Sequence, residues 1–427
     1  MSSNSLKWIY TFTLYFLTPL VLVRLAWRGI RNPGYWRRWH ERFGFITSPE
    51  ASRVIWIHAV SVGEVRAAAP LVNNLSERHP DYRIMITTTT PTGSEQVRLL
   101  FGDKVAHSYV PYDLPSVVNR FLDRVRPEIA VVMETELWPN IFHTCHRRNI
   151  PIIIANVRLS ESSMRGYKKI ARLVKSTLQQ VNKMAVQSQA DAERLLALGA
   201  PESAIRVTGS MKFDMSLPAS VLESGEALRR EWGTERPVWV AASTHEGEDE
   251  KLLTTFREIK AQFANLLLVL VPRHPERFAP VARLCRKAGF HVALRSKARG
   301  PLDATVDILV GDTMGELLMF FAASDVAFIG GSLVPTGGHN LLEAAAVGKP
   351  VIFGPHMFNF KEISALALER GAGIQVQNES RLASAVTSYL SEPNLRYEAG
   401  LAGKNMVEDN RGALEQTLVL INELLPA

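Results

Sequence analysis

The chain has 427 residues, 46% of them apolar and 21% charged, which excludes a disordered polymer and a single small core and favours two domains. Its 49 basic and 42 acidic residues leave +7, a modest excess that suits nucleic acid, anionic lipid or phosphorylated substrates and does not choose among them. Cys145 and Cys285 are the two cysteines, with neither CxxC nor histidine spacing, which argues against a disulfide framework or a thiolate zinc site and for a reducing compartment.

Residues 1–43 form a hydrophobic and basic segment. Trp8 to Val23 is an apolar run with aromatics and Pro19, and Arg24, Arg28, Arg31, Arg37, Arg38 and Arg42 follow with Glu41 opposing them. The run falls short of a full span unless Leu25 to Trp27 extend it. A basic flank on its carboxyl side predicts that the remainder stays cytoplasmic and attracts anionic lipid. A cleaved signal peptide fits poorly, because Lys7 alone precedes the run and no small-residue cleavage site follows it. The segment is expected to be a membrane anchor or an interfacial helix.

Beyond it, short apolar runs alternate with amphipathic stretches. Residues 44–214 carry predicted strands at Val54–His58, Ile84–Thr88, Ile129–Met133, Ile152–Ala155 and Lys183–Gln187. Residues 215–237, with Pro218, Gly225 and Gly233, are read as an interdomain linker. Residues 238–427 carry a second series at Val238–Ala242, Leu266–Val271, Ile308–Val310, Val326–Gly330 and Val351–Phe353. The alternation predicts two α/β domains, each a doubly wound parallel sheet, with a cleft between them and ligands beyond the carboxyl ends of the strands.

Those strand ends hold the chemistry. VIWIH runs into AVSVGE, which sets Glu64 at a loop-to-helix junction; the position suits a general base and equally suits an acid completing a helix start. In ITTTTPTGSE, Ser94 is expected to cap the next helix. IAVVM ends in ETELWPN, where Glu134 and Glu136 sit beside Trp138, an unusual acidic cluster for a buried strand end. VTGSMKFD brings Lys212 near the interdomain region, either to face an anion or as a solvated lysine. In the second half, VPRHPER offers Arg273, whose planar fork suits a phosphate, and His274, expected to cap or pack. GDTMGEL offers backbone amides around Met314, Gly315 and Glu316. GGHNLLEAAAVGKP turns at Gly337 and Gly338, and Asn340 is expected to open a helix carrying Glu343, a carboxylate suited to ribose hydroxyls. Together they suggest a nucleotide site. There is no GxxxxGK[ST], no GxGxxG after the first strand, no DxD pair and no HExxH. Metal-free chemistry with no cofactor is therefore expected.

HAVSVGE, TTTTPTGSE, PYDLP, METELWPN, GSMKFD, STHEGE, VPRHPER, GDTMGEL and GGHNLLEAA resemble the motifs of bacterial 3-deoxy-D-manno-octulosonic acid (Kdo) transferases over nearly the whole chain. The resemblance implies an α/β fold of two Rossmann-like domains in the glycosyltransferase-B arrangement. It also implies a CMP-Kdo donor, a lipid A precursor (lipid IVA) as acceptor, inversion at the anomeric centre, and work at the cytoplasmic face of the inner membrane, with no nucleic-acid partner. By motif, Glu64 corresponds to the general base, and Glu134 and Lys212 to groups that stabilise the transition state. Pro272 and Arg273, then Met314, Gly315 and Glu316, then Asn340, Leu341, Leu342 and Glu343 correspond to the CMP-binding segments. Two-domain nucleotide-sugar epimerases are the rival enzyme class, and a non-catalytic nucleotide binder the rival outside catalysis.

Overall fold

The computed structural model describes residues 3–31, 33–49, 53–215, 217–298 and 300–426; of the basic flank, the Arg31 side chain lies outside the described residues. Helix α1, Ser3–Arg31, contains the predicted apolar run, and Leu6–Ile30 is long and apolar enough to cross a membrane. The chain divides into two compact units, Met1–Met215 with Arg411–Ala427, and Ser216–Asn410, and α1 belongs to the first.

In the first unit, strands β1 (Arg53–His58), β2 (Tyr82–Thr88), β3 (Ala106–Tyr109), β4 (Ile129–Met133), β5 (Ile152–Val157), β6 (Lys183–Val186) and β7 (Ile205–Val207) form one parallel sheet in the order β3-β2-β1-β4-β5-β6-β7. The central strands are Val- and Ile-rich and buried along their length, as expected when helices cover both faces of a parallel sheet. Chain order reverses between β1 and β4, so the crevice of this sheet opens where the loops after those two strands diverge. Helices α2 (Val62–Arg78), α3 (Pro91–Phe101), α4 (Pro115–Val125) and α5 (Pro139–Arg147) follow β1 to β4 in turn.

In the second unit, β8 (Val238–Thr244), β9 (Leu267–Pro272), β10 (Val292–Leu294), β11 (Ile308–Val310), β12 (Val326–Ile329), β13 (Val351–Phe353) and β14 (Gly373–Gln375) form a parallel sheet in the order β10-β11-β9-β8-β12-β13-β14. Its reversal lies between β8 and β12. All ten predicted strands are present, three with the predicted bounds and the rest with ends shifted by one or two residues. The four that the sequence did not reveal, β3, β7, β10 and β14, are the four sheet edges. They are three or four residues long and mostly half-exposed, so they lack the buried apolar run that marks a central strand.

The domain limits differ from the sequence reading at both ends of the second unit. Within residues 215–237, the helix Ala219–Trp232 belongs to the second unit: Gly225 packs against Ala322, and Arg229 forms an ion pair with Asp325 at 2.9 Å. Residues 411–427 return to the first unit. Asp214, the last residue of GSMKFD, accepts the amides of Gly412 and Leu414 at 2.6 Å each and starts the helix Ala413–Asn422. Leu418, Leu420 and Ile421 then join the core with Ile55 and Val131. An apolar helix face buries itself wherever complementary surface exists, irrespective of sequence distance.

Candidate active site

Ser61 accepts the Glu64 amide and caps α2, which sets Glu64 in the first turn at the end of β1. The residue is 7% exposed, and its Oε2 accepts the Val60 amide at 2.7 Å. Burial raises the Glu64 carboxyl from 4.5 to about 7; the bonds from Val60 and Ser61 work against that rise, and the charges of Glu134 and Glu136 add to it. The structure therefore gathers the acids after β1 and β4 at the reversal point of the first sheet. Burial, and then Glu134, raise Glu136 also.

Glu134 sits at φ 57°, a left-handed conformation that costs a non-glycine residue about 1–3 kcal/mol and persists when its surroundings enforce it. Its amide donates to Ala155 O at 2.8 Å, so the turn out of β4 is locked to β5. Asn156, also left-handed at φ 58°, lies one residue further along β5, and its Oδ1 accepts the Met211 amide at 3.2 Å. That bond fixes the short helix Met211–Phe213, which carries Lys212, at the strand next to Glu134. Buried His58 Nε2 and Asn156 Nδ2 have no hydrogen-bond partner among the described residues, and both belong to this carboxyl edge. Sequence reasoning missed these two residues. Their signal was a polar side chain at, or one residue before, the end of a largely apolar strand.

Ser94 does not cap α3. Thr90 does, accepting the Gly93 amide at 3.1 Å, while Ser94 Oγ accepts from Arg38 at 3.3 Å. Asp113 of PYDLP caps α5, accepting the amides of Asn140 at 3.0 Å and Ile141 at 2.7 Å; burial, countered by those bonds and one from Tyr10, raises its carboxyl to about 6.

In the second unit, Pro272 closes β9, and the Arg273 amide donates to Thr244 O at 3.1 Å, which brings the ends of β8 and β9 together. Burial, and then His274, Arg277 and Arg273, lower His245. His245 Nε2 lies 2.8 Å from His339 Nε2 with the rings stacked, so GGHN is drawn to the end of β8. Glu248 of STHEGE is fully buried. It accepts four backbone amides, from His245 (2.9 Å), Gly331 (2.6 Å), Ser332 (3.0 Å) and Leu333 (2.9 Å), and so shapes the loop after β12 around itself. Gly330 permits the close approach: a Cβ there would stand 2.5 Å from Ser243 O. Sequence reasoning assigned no role to Glu248, His245 or His339.

Asn340 Oδ1 accepts the Leu342 amide at 3.2 Å and its Nδ2 donates to Glu343 at 3.2 Å. The helix they open, Leu342–Ala346, has five residues, too few for an appreciable dipole, so the expected phosphate preference of its amino terminus loses its basis. Leu341 and Leu342 are fully buried core side chains and have only backbone to offer a ligand. Met314 is exposed and Gly315 has φ 85°, whereas Glu316 is bound by Arg295 at 3.0 Å and by Thr313. Pro272 and Arg273 thus lie at the end of β9, residues 314–316 follow the adjacent strand β11, and residues 339–343 follow β12 on the other side of β8.

Paired Rossmann-like units of this topology define the glycosyltransferase-B class. Across 87% of the chain the fold matches UDP-GlcNAc 2-epimerase from Neisseria meningitidis (99% of that chain, TM-score 0.56, 14% identity). That likeness concerns architecture alone, since epimerases and transferases share it. Sequence decides between them. Residues 37–215 match the family described as 3-Deoxy-D-manno-octulosonic-acid transferase (kdotransferase). The chain is 43% identical to 3-deoxy-D-manno-octulosonic acid transferase of Haemophilus influenzae over 98% of its length and 99% of that protein. It is 35% identical to the Bordetella pertussis enzyme of the same name over 98% and 99%. The chain belongs to the Kdo transferases of lipopolysaccharide biosynthesis.

Proposed function

We propose that this enzyme transfers Kdo from CMP-Kdo to lipid IVA with inversion, at the cytoplasmic face of the inner membrane, and that Glu64 is the general base. The supporting observation is Glu64 itself, a residue 7% exposed whose carboxyl is raised to about 7 at the reversal point of the first sheet. A base must be ionised before reaction and protonated after it, and a pKa near the working pH serves both states.

In the reaction, an acceptor hydroxyl oxygen attacks the anomeric carbon of Kdo from the face opposite the CMP phosphate. The hydroxyl proton passes to Glu64 Oε1 while Oε2 keeps its bond from Val60. The bond between anomeric carbon and phosphate oxygen breaks, and its electron pair leaves with CMP. One displacement of this kind inverts the centre. Glu134 offsets oxocarbenium-like positive charge, as carboxylates do in glycoside hydrolysis. Lys212 and Arg273 offset the negative charge of the departing phosphate or of the Kdo carboxylate. Asn340 and Glu343 serve the ribose, Pro272 and residues 314–316 the rest of the nucleotide, and Leu341 and Leu342 contribute through their backbone. Helix α1 and its arginines supply membrane association.

Incubation with CMP-Kdo and lipid IVA tests the reading: sugar addition supports it, whereas isomerisation or no reaction refutes it. Glu64→Ala is expected to retain CMP binding and lose transfer by at least about 100-fold. Retained transfer removes Glu64 from the role of base.

A further inference from the structure

The structure ties α1 near its start, and the segment that follows its end, to the first unit. Near its start, Tyr10 Oη donates to Asp113 at 2.9 Å, Thr11 Oγ1 donates to buried Asn140 at 3.0 Å, and Tyr15 meets Ser116 at 2.9 Å. Near its end, the Trp36 indole lies on Gly29 and donates to Ala26 O at 3.1 Å. Two residues later, Arg38 donates to His107 O at 2.8 Å and to Glu41 Oε1 at 2.6 Å, and Glu41 in turn accepts the Tyr109 amide at 2.9 Å. The anchor points Asp113 and His107 are six residues apart, which even a fully extended chain limits to about 21 Å. A helix crossing a bilayer would separate Tyr10 from Arg38 by a hydrocarbon core of about 30 Å and break one set of these bonds.

What faces away from the unit is apolar. Trp8, Phe12, Phe16, Leu20, Val23 and Trp27 recur at helical spacing and are exposed by 54–77%. Arg24 and Arg28 on α1, and Arg37 just beyond it, supply the charge that anionic headgroups attract.

We propose that α1 lies in one leaflet of an anionic bilayer and does not cross it, so that residues on both sides of the helix stay with the folded units on one face of the membrane. This rests on the membrane association proposed above and goes further by assigning its geometry. It also has a consequence for the reaction. Asn140, which holds Thr11, follows directly on the loop of Glu134 and Glu136, so the lipid surface lies beside the acid cluster. An acceptor whose acyl chains remain in the leaflet then presents its sugar to that cluster without leaving the membrane.

Two measurements separate the claims. For association, the full chain is sedimented with phosphatidylglycerol or phosphatidylcholine vesicles. Phe16→Glu with Leu20→Glu is expected to weaken binding to both at least about tenfold, and Arg24→Gln with Arg28→Gln to weaken the phosphatidylglycerol case alone, about fivefold per arginine. A chain that ignores vesicles and doubles its mass in light scattering uses the patch for a second copy, which overturns association and geometry together. For geometry, Ser5→Cys is labelled with a membrane-impermeant maleimide in oriented membrane vesicles, with Glu369→Cys in the second unit as the reference; native Cys145 and Cys285 are buried. Labelling of both positions from the same face is expected. Labelling of Ser5→Cys from the opposite face, or from neither, overturns the in-plane helix even where vesicle binding succeeds.

Discussion

Replacing Glu64 with glutamine should make the protein more stable at alkaline pH while destroying transfer. The carboxyl is raised from 4.5 to about 7, first by burial and then by the charges of Glu134 and Glu136. A group whose folded value exceeds its unfolded one contributes fully below the unfolded value, and loses that contribution as pH rises through the folded one. The window therefore runs from about pH 4.5 to pH 7. Across it, the ionised form costs the folded state about 3 kcal/mol at 1.36 kcal/mol per tenfold change. Glutamine mimics the protonated acid, and its Oε1 can still accept the Val60 amide. Glu64→Gln should match the native protein near pH 4.5 and exceed it at pH 8 by up to about 3 kcal/mol, or about 6–12 °C in the transition of the first unit. Thermal scans at several pH values measure this, with Glu134→Gln as a second variant, because the Glu134 charge contributes to the rise at Glu64. In the native enzyme, kcat/KM should rise with pH to a plateau above an apparent value of about 7. An inactive Glu64→Gln whose stability tracks the native protein at every pH would refute the account, since the residue would then not be a strained buried carboxyl.

Lys212→Ala should lower kcat by about 100-fold with KM within about threefold, because an interaction made only in the transition state leaves ground-state binding alone; a pure KM effect in steady-state kinetics rules that role out. Glu248→Ala strips four backbone amides, three of them buried, of their acceptor and should cost the second unit about 3 kcal/mol or more in urea unfolding, with CMP affinity falling alongside. A loss under about 1 kcal/mol would mean that the loop finds other acceptors. Gly330→Ala should cost about 2–3 kcal/mol, since its Cβ meets backbone oxygens of Ser243 at 2.5 Å and Ala242 at 2.7 Å; equal stability in the same titration would show that β8 and β12 can part at no cost.

Much of the candidate site was legible as a pattern because its residues sit at strand ends, and strand ends are where a buried apolar run gives way to polar groups. Glu64, Glu134 and Arg273 follow β1, β4 and β9 in that manner. Glu248 and Asn156 resisted reading because their roles are bonds to amides distant in sequence, Gly331 to Leu333 in one case and Met211 in the other. Thr90 and Ser94 are both good caps on paper, and only the path of the chain into α3 selects Thr90.

The sequence by itself determined the ten central and near-central strands, the parallel α/β class, the apolar amino-terminal helix and the motifs that mark the family. Local periodicity, strand-end chemistry and side-chain pattern all reside in adjacent residues. Tertiary structure alone decided the sheet edges, the return of residues 411–427 to the first unit, the burial of Leu341 and Leu342, and the attachment of α1 near its start and of the segment following it to one unit. Each of these depends on which surfaces meet, and the free energy of burial and of buried hydrogen bonds is set by partners far away along the chain.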